Sequence, residues 1–489
     1  MKQPELLRPS RTLAGTLSCT RSGALFCALL LLGGCAIGPN YEQPDVELPE
    51  SFVNDEDVDS PEGVSIAGLW GSLGDQELKR LIDLALANNT TIAQALATLN
   101  ETRALSNLAV YSLLPTVDIN ADFERSRQSS GDPFAFEGQG IVERYRAGFD
   151  ASWEIDVFGS LRRQSQRIRY LVEADEASLY AVEIAIIAEV AQTYYQWQGE
   201  TLRLELLRLN IDNQANNVRI LEASLDAGRG TALDVARARA VERSLTATLP
   251  TAEARVTRAE QRLAVLTRVP VATLRAELEK PERMPILPSL VAVGQPVEWL
   301  ARRPDVRAAE RRLAAATAEI GVETAEFYPK LNFIGDFGWT GTTSSAIGDS
   351  EAERWRVAPA ISWRLLDFSR IRQRVAAAEA RAAGALAAFD ETWLTAIEET
   401  ENALANYRAS TERVARLEEA VQEGTEAARL AQLRYEVGAD DYLSVLDADR
   451  TRIDLDDQLA QALTDRATAL AALYKALGGD FATARAALD

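Results

Sequence analysis

The sequence predicts an α+β membrane protein whose chain is one structural unit used twice. Three observations carry this. Matched blocks recur at an offset of roughly 210 residues. Paired stretches alternate apolar and polar residues, with aromatics near their ends. Two long runs, from about residue 160 to 227 and from about 370 to 437, contain no proline and end at a glycine. The repeats are placed at 75–280 and 301–480, joined by a linker at 281–300, with an extended segment at 35–74 and a tail at 481–489.

The chain opens on an export signal over 1–34. Lys2, Arg8, Arg11 and Arg21 make its start basic, and "GALFCALLLL" supplies about ten apolar residues, well short of the ~20 that span a bilayer. Leu32-Gly33-Gly34-Cys35 then resembles a lipobox, with the Cys35 thiol as the lipidation site. Cys19, Cys27 and Cys35 are the three cysteines of the chain, so none follows residue 35 and no disulfide framework is possible in the body. Ala36, rather than aspartate, follows the lipobox cysteine and favours the outer membrane. One lipid group anchors only modestly, so a second membrane attachment is expected.

Composition removes whole classes of function. Losing Lys2, Arg8, Arg11, Arg21 and Glu5 with the signal takes the formal charge from -21 to about -24, the wrong sign for a nucleic-acid partner. There is no histidine, which excludes histidine metal sites, histidine-based triads and a histidine pH switch. Met284 alone remains of the methionines, so no soft-metal relay is possible. No enzyme, cofactor or metal is implied.

Each repeat has the same order: helix, two strands, very long helix, tight turn, return helix. In the first, a helix is predicted from Asp75 to Leu113, with Leu78, Leu81, Ile82, Ala85 and Leu86 on one face, until Pro115 breaks it. Val117, Ile119, Ala121 and Phe123 then share one face of a strand. Tyr145, Ala147, Phe149, Ala151, Trp153 and Ile155 share one face of the next. The second repeat answers with Leu331, Phe333, Gly335, Phe337 and Trp339, then Trp355, Val357, Ile361, Trp363 and Leu365. Polar loops, "SSGDPFAFEGQG" and "TGTTSSAIGDSEAE", join the strands of each pair. Four strands cannot lie in lipid as an open sheet, because every backbone group there needs a partner. Single-chain barrels begin at about eight strands, so the chain has to oligomerise. A dimer supplies eight strands and a trimer twelve, and only the larger ring leaves a clear aqueous lumen.

The proline-free helices would each reach roughly 100 Å at ~1.5 Å per residue. Leu202, Leu206 and Leu209 in the first, and Val414, Leu417 and Val421 in the second, have heptad-like spacing and predict coiled-coil packing. The blocks "AGRGTALDVARARA" and "VGADDYLSVLDADR" reverse the chain at Gly228 and Gly438, as suits a left-handed position at a helix end.

The whole mature chain resembles the outer-membrane efflux family of the TolC/OprM type, in its NodT-like lipoprotein subgroup serving resistance-nodulation-division pumps. "CAIGPNYEQP", "SWEIDVFGSLRR", "RRPDVRAAERRLAAATAEIGVETAEFYPKL", "RYEVGADDYLSVLDADR" and "LYKALGGD" carry the resemblance. It implies a homotrimer with a 12-stranded transmembrane β-barrel, an α-helical periplasmic barrel and a mixed equatorial region. It implies the exit duct of a tripartite pump in the outer membrane, fed by an inner-membrane transporter through a periplasmic adaptor. By the same resemblance, Tyr435 and Asp234 stand where the family links neighbouring coiled coils. Asp447 stands where threefold symmetry makes a lumen-facing ring of acids, which would attract cations. Asp440 and Asp441 depart from relatives that carry a basic residue after the turn glycine, leaving Arg434 or Arg229 to serve as the basic member of a lock. Gly228, Arg229, Gly438, Leu443 and Leu446 are the expected adaptor-contact tips.

Two other readings fit parts of the sequence. A duct for type I protein secretion shares the architecture, but the lipobox and "RRPDVRAAE" favour small-molecule efflux. A structural envelope lipoprotein with no pore would have no need of paired amphipathic strands.

Overall fold

A computed structural model describes residues 36–46, 64–65, 69–127, 129, 140–228, 230–288, 291–292 and 302–479. Cys35, the signal and the tail lie outside the described residues, as does most of the first polar loop. The described residues up to Glu42, with Arg103–Tyr170 and Leu313–Gly384, form one compact unit. Gln43–Thr102, Leu171–Arg312 and the described residues from Ala385 onward form a second. No helix among the described residues is long and apolar enough to cross a membrane.

The first unit is built on a four-stranded antiparallel sheet. Its strands are β2 (Thr116–Arg127), β3 (Ile141–Ile155), β5 (Lys330–Gly341) and β6 (Glu353–Ser362), hydrogen-bonded in that order. The register aligns the alternation of all four strands. Ile119, Phe149, Phe337 and Trp355 lie opposite one another in one row, on the same face as Ala121, Ala147 and Trp339. On the other face, Asp118, Asp150, Asp336 and Arg356 make a row beside Asn120, Gly148, Gly338 and Arg354. That face is laced by Arg144–Glu124 at 3.1 Å, Arg146–Asp122 at 3.0 Å and Arg356–Asp336 at 2.7 Å. The sheet is therefore apolar on one side and charged on the other. Ile119 is 77% exposed and Trp355 71%, a face that water would penalise and lipid would not.

The two repeats match strand for strand in register. Thr116 faces Ser152 where the first hairpin starts, and Lys330 faces Ser362 at the matching point of the second. One expectation fails here: Trp363 and Leu365 lie beyond the end of β6, which stops at Ser362 although β3 runs on to Ile155. The physical difference is that β3 is paired on both sides and β6 on one.

The second unit holds the helical core. Short helices α1 (Leu69–Ser72), α2 (Gln76–Asn88) and α6 (Val271–Glu277) pack with the long ones, and the two-residue strands β1 (Val64–Ser65) and β4 (Val291–Ala292) pair in parallel. Leu78, Leu81, Leu263, Leu266, Leu274 and Tyr195 are almost fully buried together. The helix expected from Asp75 to Leu113 is two helices, α2 and α3 (Thr90–Tyr111). Asn89 makes the break: its side-chain oxygen caps α3 through the Thr91 N–H at 2.8 Å, while its amide donates to the Leu266 carbonyl at 3.0 Å. A buried partner distant in sequence thus decides where the helix stops.

The long helices form two hairpins. The first is α4 (Ser160–Asp226) with α5 (Ala232–Thr267); the second is α8 (Phe368–Glu436) with α9 (Tyr442–Ala476); α7 (Pro304–Ala325) lies between them in sequence. Val414 is buried, as the heptad spacing expects, with Leu417 and Val421 partly so. In α4, Leu202 and Leu206 are partly buried as expected, but the third expected position is not in the seam. Leu209 is 56% exposed, and Leu204, Asn210, Gln214, Val218 and Leu221 are buried instead. Apolar spacing misses this seam because two of its members are amides. Gln214 offsets its burial by donating to the Ala238 carbonyl of α5 at 3.4 Å.

Candidate functional site

The two reversals pack against one another. Val218, Leu221, Val235, Ala238 and Val241 of the first hairpin make one buried cluster with Tyr442, Val445 and Leu446 of the second. Each turn is closed by its glycine. Gly228 (φ 68°) donates to the Leu225 carbonyl at 2.9 Å, and Gly438 (φ 72°) to that of Tyr435 at 3.0 Å. Ala439 N–H then reaches back to the Arg434 carbonyl at 2.9 Å, which completes a Schellman motif at the end of α8.

The return helices start on side-chain caps. Thr231 accepts from the Asp234 N–H at 3.2 Å and donates its hydroxyl to the Asp234 carboxylate at 2.5 Å. Asp441 caps α9, accepting from the Ser444 N–H at 3.2 Å. Asp440 accepts from the Asp441 N–H at 2.9 Å and the Ser444 hydroxyl at 3.0 Å, and pairs with Arg434 at 3.3 Å. The backbone bond from Asp441, then Ser444, then the Arg434 charge, hold Asp440 below the ordinary carboxylate range. The acidic pair after Gly438 is thus a capping device, and Arg434 is held at the turn by it. Arg229 lies outside the described residues.

Tyr435 and Asp234 share no hydrogen bond within the described residues of one chain; Tyr442 stands between their influences. The Tyr435 ring meets Tyr442 edge-on, 5.5 Å between centroids at 66°. Burial raises the Tyr442 phenol above its usual range. The nearby Gln214 side chain works against the rise, and Asp449, Tyr435 and Asp234 add to it. Neither Tyr442 nor Gln214 is a sequence-predicted site residue. Tyr442 is legible only as the residue after a helix cap, and Gln214 carries no local signal at all.

On α9 the buried and exposed faces separate cleanly. Leu446, expected as a contact residue, is 6% exposed and belongs to the core of the hairpin pair. Leu443 is 46% exposed, and Asp447, one helical turn further on, is exposed beside it. The reversals therefore offer a carboxylate and an apolar side chain on a rigid, doubly capped base. Such a base suits a constriction or a docking contact.

Comparison with known proteins gives one answer. The outer membrane efflux protein family model matches residues 81–267 and 296–479. Outer membrane protein OprJ of Pseudomonas aeruginosa is 31% identical, over 92% of this chain and 94% of its own. Nodulation protein T of Rhizobium leguminosarum bv. trifolii is 28% identical, over 92% of this chain and 96% of its own. Among solved structures, the outer-membrane channel OprN superposes with a TM-score of 0.84 at 34% identity, covering 91% of this chain and all of that one (100%). The open-state MtrE channel of Neisseria gonorrhoeae gives 0.81 at 28% identity, covering 91% and 99%.

Proposed function

The chain belongs to the outer membrane efflux protein family, and on that premise we propose that it is the exit duct of a tripartite efflux pump. It acts as a homotrimer, anchored through a lipid on Cys35 and through its strands. It passively conducts small molecules handed on by an inner-membrane resistance-nodulation-division transporter through a periplasmic adaptor. One observation supports this above the others: the four-stranded sheet has an apolar face, a charged face and an unpaired strand at each edge. Three such sheets closed on each other make a lipid-facing wall around a polar lumen, and leave no backbone group unpaired in the membrane.

The reversals form the periplasmic end of the duct. Asp447 lines the constriction, where threefold symmetry makes it a ring that concentrates cations. Arg434, with Tyr435 and Asp234, holds neighbouring hairpins together in the closed state. Gly228, Gly438 and Leu443 meet the adaptor. The test is conductance of the purified protein in planar bilayers, with Asp447→Ala beside the wild type. The duct reading expects a stable pore, with lower cation preference or higher conductance in the variant. Absence of any pore would sink the duct; an unchanged variant would remove Asp447 from the constriction.

A further inference from the structure

The two repeats diverge where the chain leaves the sheet for its long helix. Residues 153–164 of the first correspond to 363–374 of the second. One bond is shared: the Trp153 indole donates to the Leu113 carbonyl at 2.9 Å and the Trp363 indole to that of Phe327 at 3.0 Å. Beyond it the residues part. In the first repeat Asp156 caps α4, accepting from the Arg162 N–H at 2.9 Å and the Leu161 N–H at 3.2 Å. The Phe158 carbonyl there accepts from the Ile37 N–H at 3.2 Å, so this junction is closed by its own chain. In the second repeat Leu366 stands in place of Asp156, and Arg364 in place of Glu154. Leu366 is 98% exposed, and Trp363 and Leu365 beside it are exposed too. Residues 363–374 hold four arginines against one aspartate, whereas 153–164 hold two arginines against two acids. Arg364 and Arg372 are exposed and make no ion pair among the described residues.

We propose that residues 363–372 are a binding site for anionic phospholipid in the leaflet at the helix-side end of the sheet. Trp363, Leu365 and Leu366 enter among the acyl chains, and Arg364 and Arg372 meet headgroup phosphates. The inference rests on the membrane placement of the sheet proposed above and adds a lipid site at its foot. Three observations name lipid as the occupant. The apolar face runs straight into the turn: Ile155, Leu331 and Ile361 make its last row, and Trp363 follows two residues later. The turn is braced rather than loose. The Asp367 N–H donates to the Arg364 carbonyl at 3.1 Å, and the Phe368 ring meets Phe327 and Trp363 at 5.8 and 6.3 Å between centroids. Leu366 is thus held out from the fold, where water penalises it and acyl chains do not. Its flanks are basic, and arginine stems lie along apolar matter while their heads reach phosphate. The charge selects an anionic headgroup.

The absence of cysteine after residue 35 makes the test direct. Leu366→Cys and, separately, Ile119→Cys would each carry a fluorophore in the mature lipoprotein, reconstituted in phosphatidylcholine bilayers. Both positions are exposed, so neither label disturbs packing. The label at 366 should be quenched by phosphatidylglycerol bearing a nitroxide high on its acyl chain, and not by iodide in the water. Adding Arg364→Gln should raise the fraction of that lipid needed for half-quenching by about fivefold. The label at 119 reports on the sheet itself. If it is quenched by lipid while the label at 366 answers only to iodide, the turn lies in water and the site falls. If the label at 366 is shielded from both quenchers, a second copy covers the turn, and the site falls equally. An unchanged half-quenching fraction in Arg364→Gln would remove the phosphate contact. If neither label is quenched by lipid, the membrane placement of the sheet is what fails.

Discussion

The Arg303 guanidinium donates to the Ala476 carbonyl at 2.8 Å, tying the residue before α7 to the last turn of α9. It also reaches the carboxylates of Asp305 and Glu399, each at 2.7 Å, although only 6% of the residue is exposed. The stretch "RRPDVRAAE" is thus a structural lock within the helical unit, where one arginine joins the Thr400 hydroxyl, 3.2 Å away, in satisfying the last carbonyl of α9. Arg303→Ala should cost about 1–3 kcal/mol, because it takes a donor from the Ala476 and Ala396 carbonyls while the half-exposed carboxylates of Asp305 and Glu399 can turn to water. Thermal unfolding in detergent would show it, and a loss within error would mean that water replaces the fork.

The same lock predicts a pH dependence. Burial works to raise the Asp305 carboxyl, but its bonds to Arg303 outweigh this and hold it below the ordinary range. A depressed folded value means the contribution is complete above the unfolded value, about 3.9, and is lost as pH falls through the folded one. Asp305→Asn should therefore be less stable than wild type at neutral pH, with the gap closing below about pH 4. A gap that stays constant down to pH 3 would place the defect elsewhere.

At the reversals, the Tyr442 ring packs the two hairpins together. Tyr442→Phe keeps the ring and its edge-on contact with Tyr435 and should cost no more than about 1 kcal/mol. Tyr442→Ala empties the cluster shared by both hairpins, at about 3–5 kcal/mol. Amide exchange across residues 430–446 should rise strongly in the second variant and little in the first. Equal exchange in both would show that the hairpins do not depend on this ring.

Gly199 marks a close approach of α4 to α9. A Cβ there would sit 1.9 Å from the Thr464 hydroxyl, so Gly199→Ala must push the helices apart, at about 1–3 kcal/mol. Thr464→Ala in the same chain should recover part of this loss. If the two losses simply add, the contact is not what limits the site.

The duplicated tryptophans should behave alike. Trp153→Phe and Trp363→Phe each remove one indole bond at the helix-side end of the sheet, and each should lower unfolding stability by about 1 kcal/mol. A loss confined to one of them would show that the repeats have diverged in function at this position.

Much of this molecule is legible in one dimension. Period-two alternation put Ile119, Phe149, Phe337 and Trp355 each on the apolar face of its own strand, because a strand's side chains alternate regardless of what it pairs with, and the register of the sheet joined those faces into one. Absence of proline and the glycines at 228 and 438 located the helical hairpins, because backbone geometry there depends on the local residue. Tertiary structure alone decided the break at Asn89, the burial of Asn210 and Gln214 in the α4 seam, the withdrawal of Leu446 into the core and the role of Tyr442. Each of these depends on a partner distant in sequence: the Leu266 carbonyl, the Ala238 carbonyl, the facing hairpin. Periodicity reports which face of an element is apolar. Only the fold reports what that face meets, and a buried amide looks like a surface residue until its acceptor is in place.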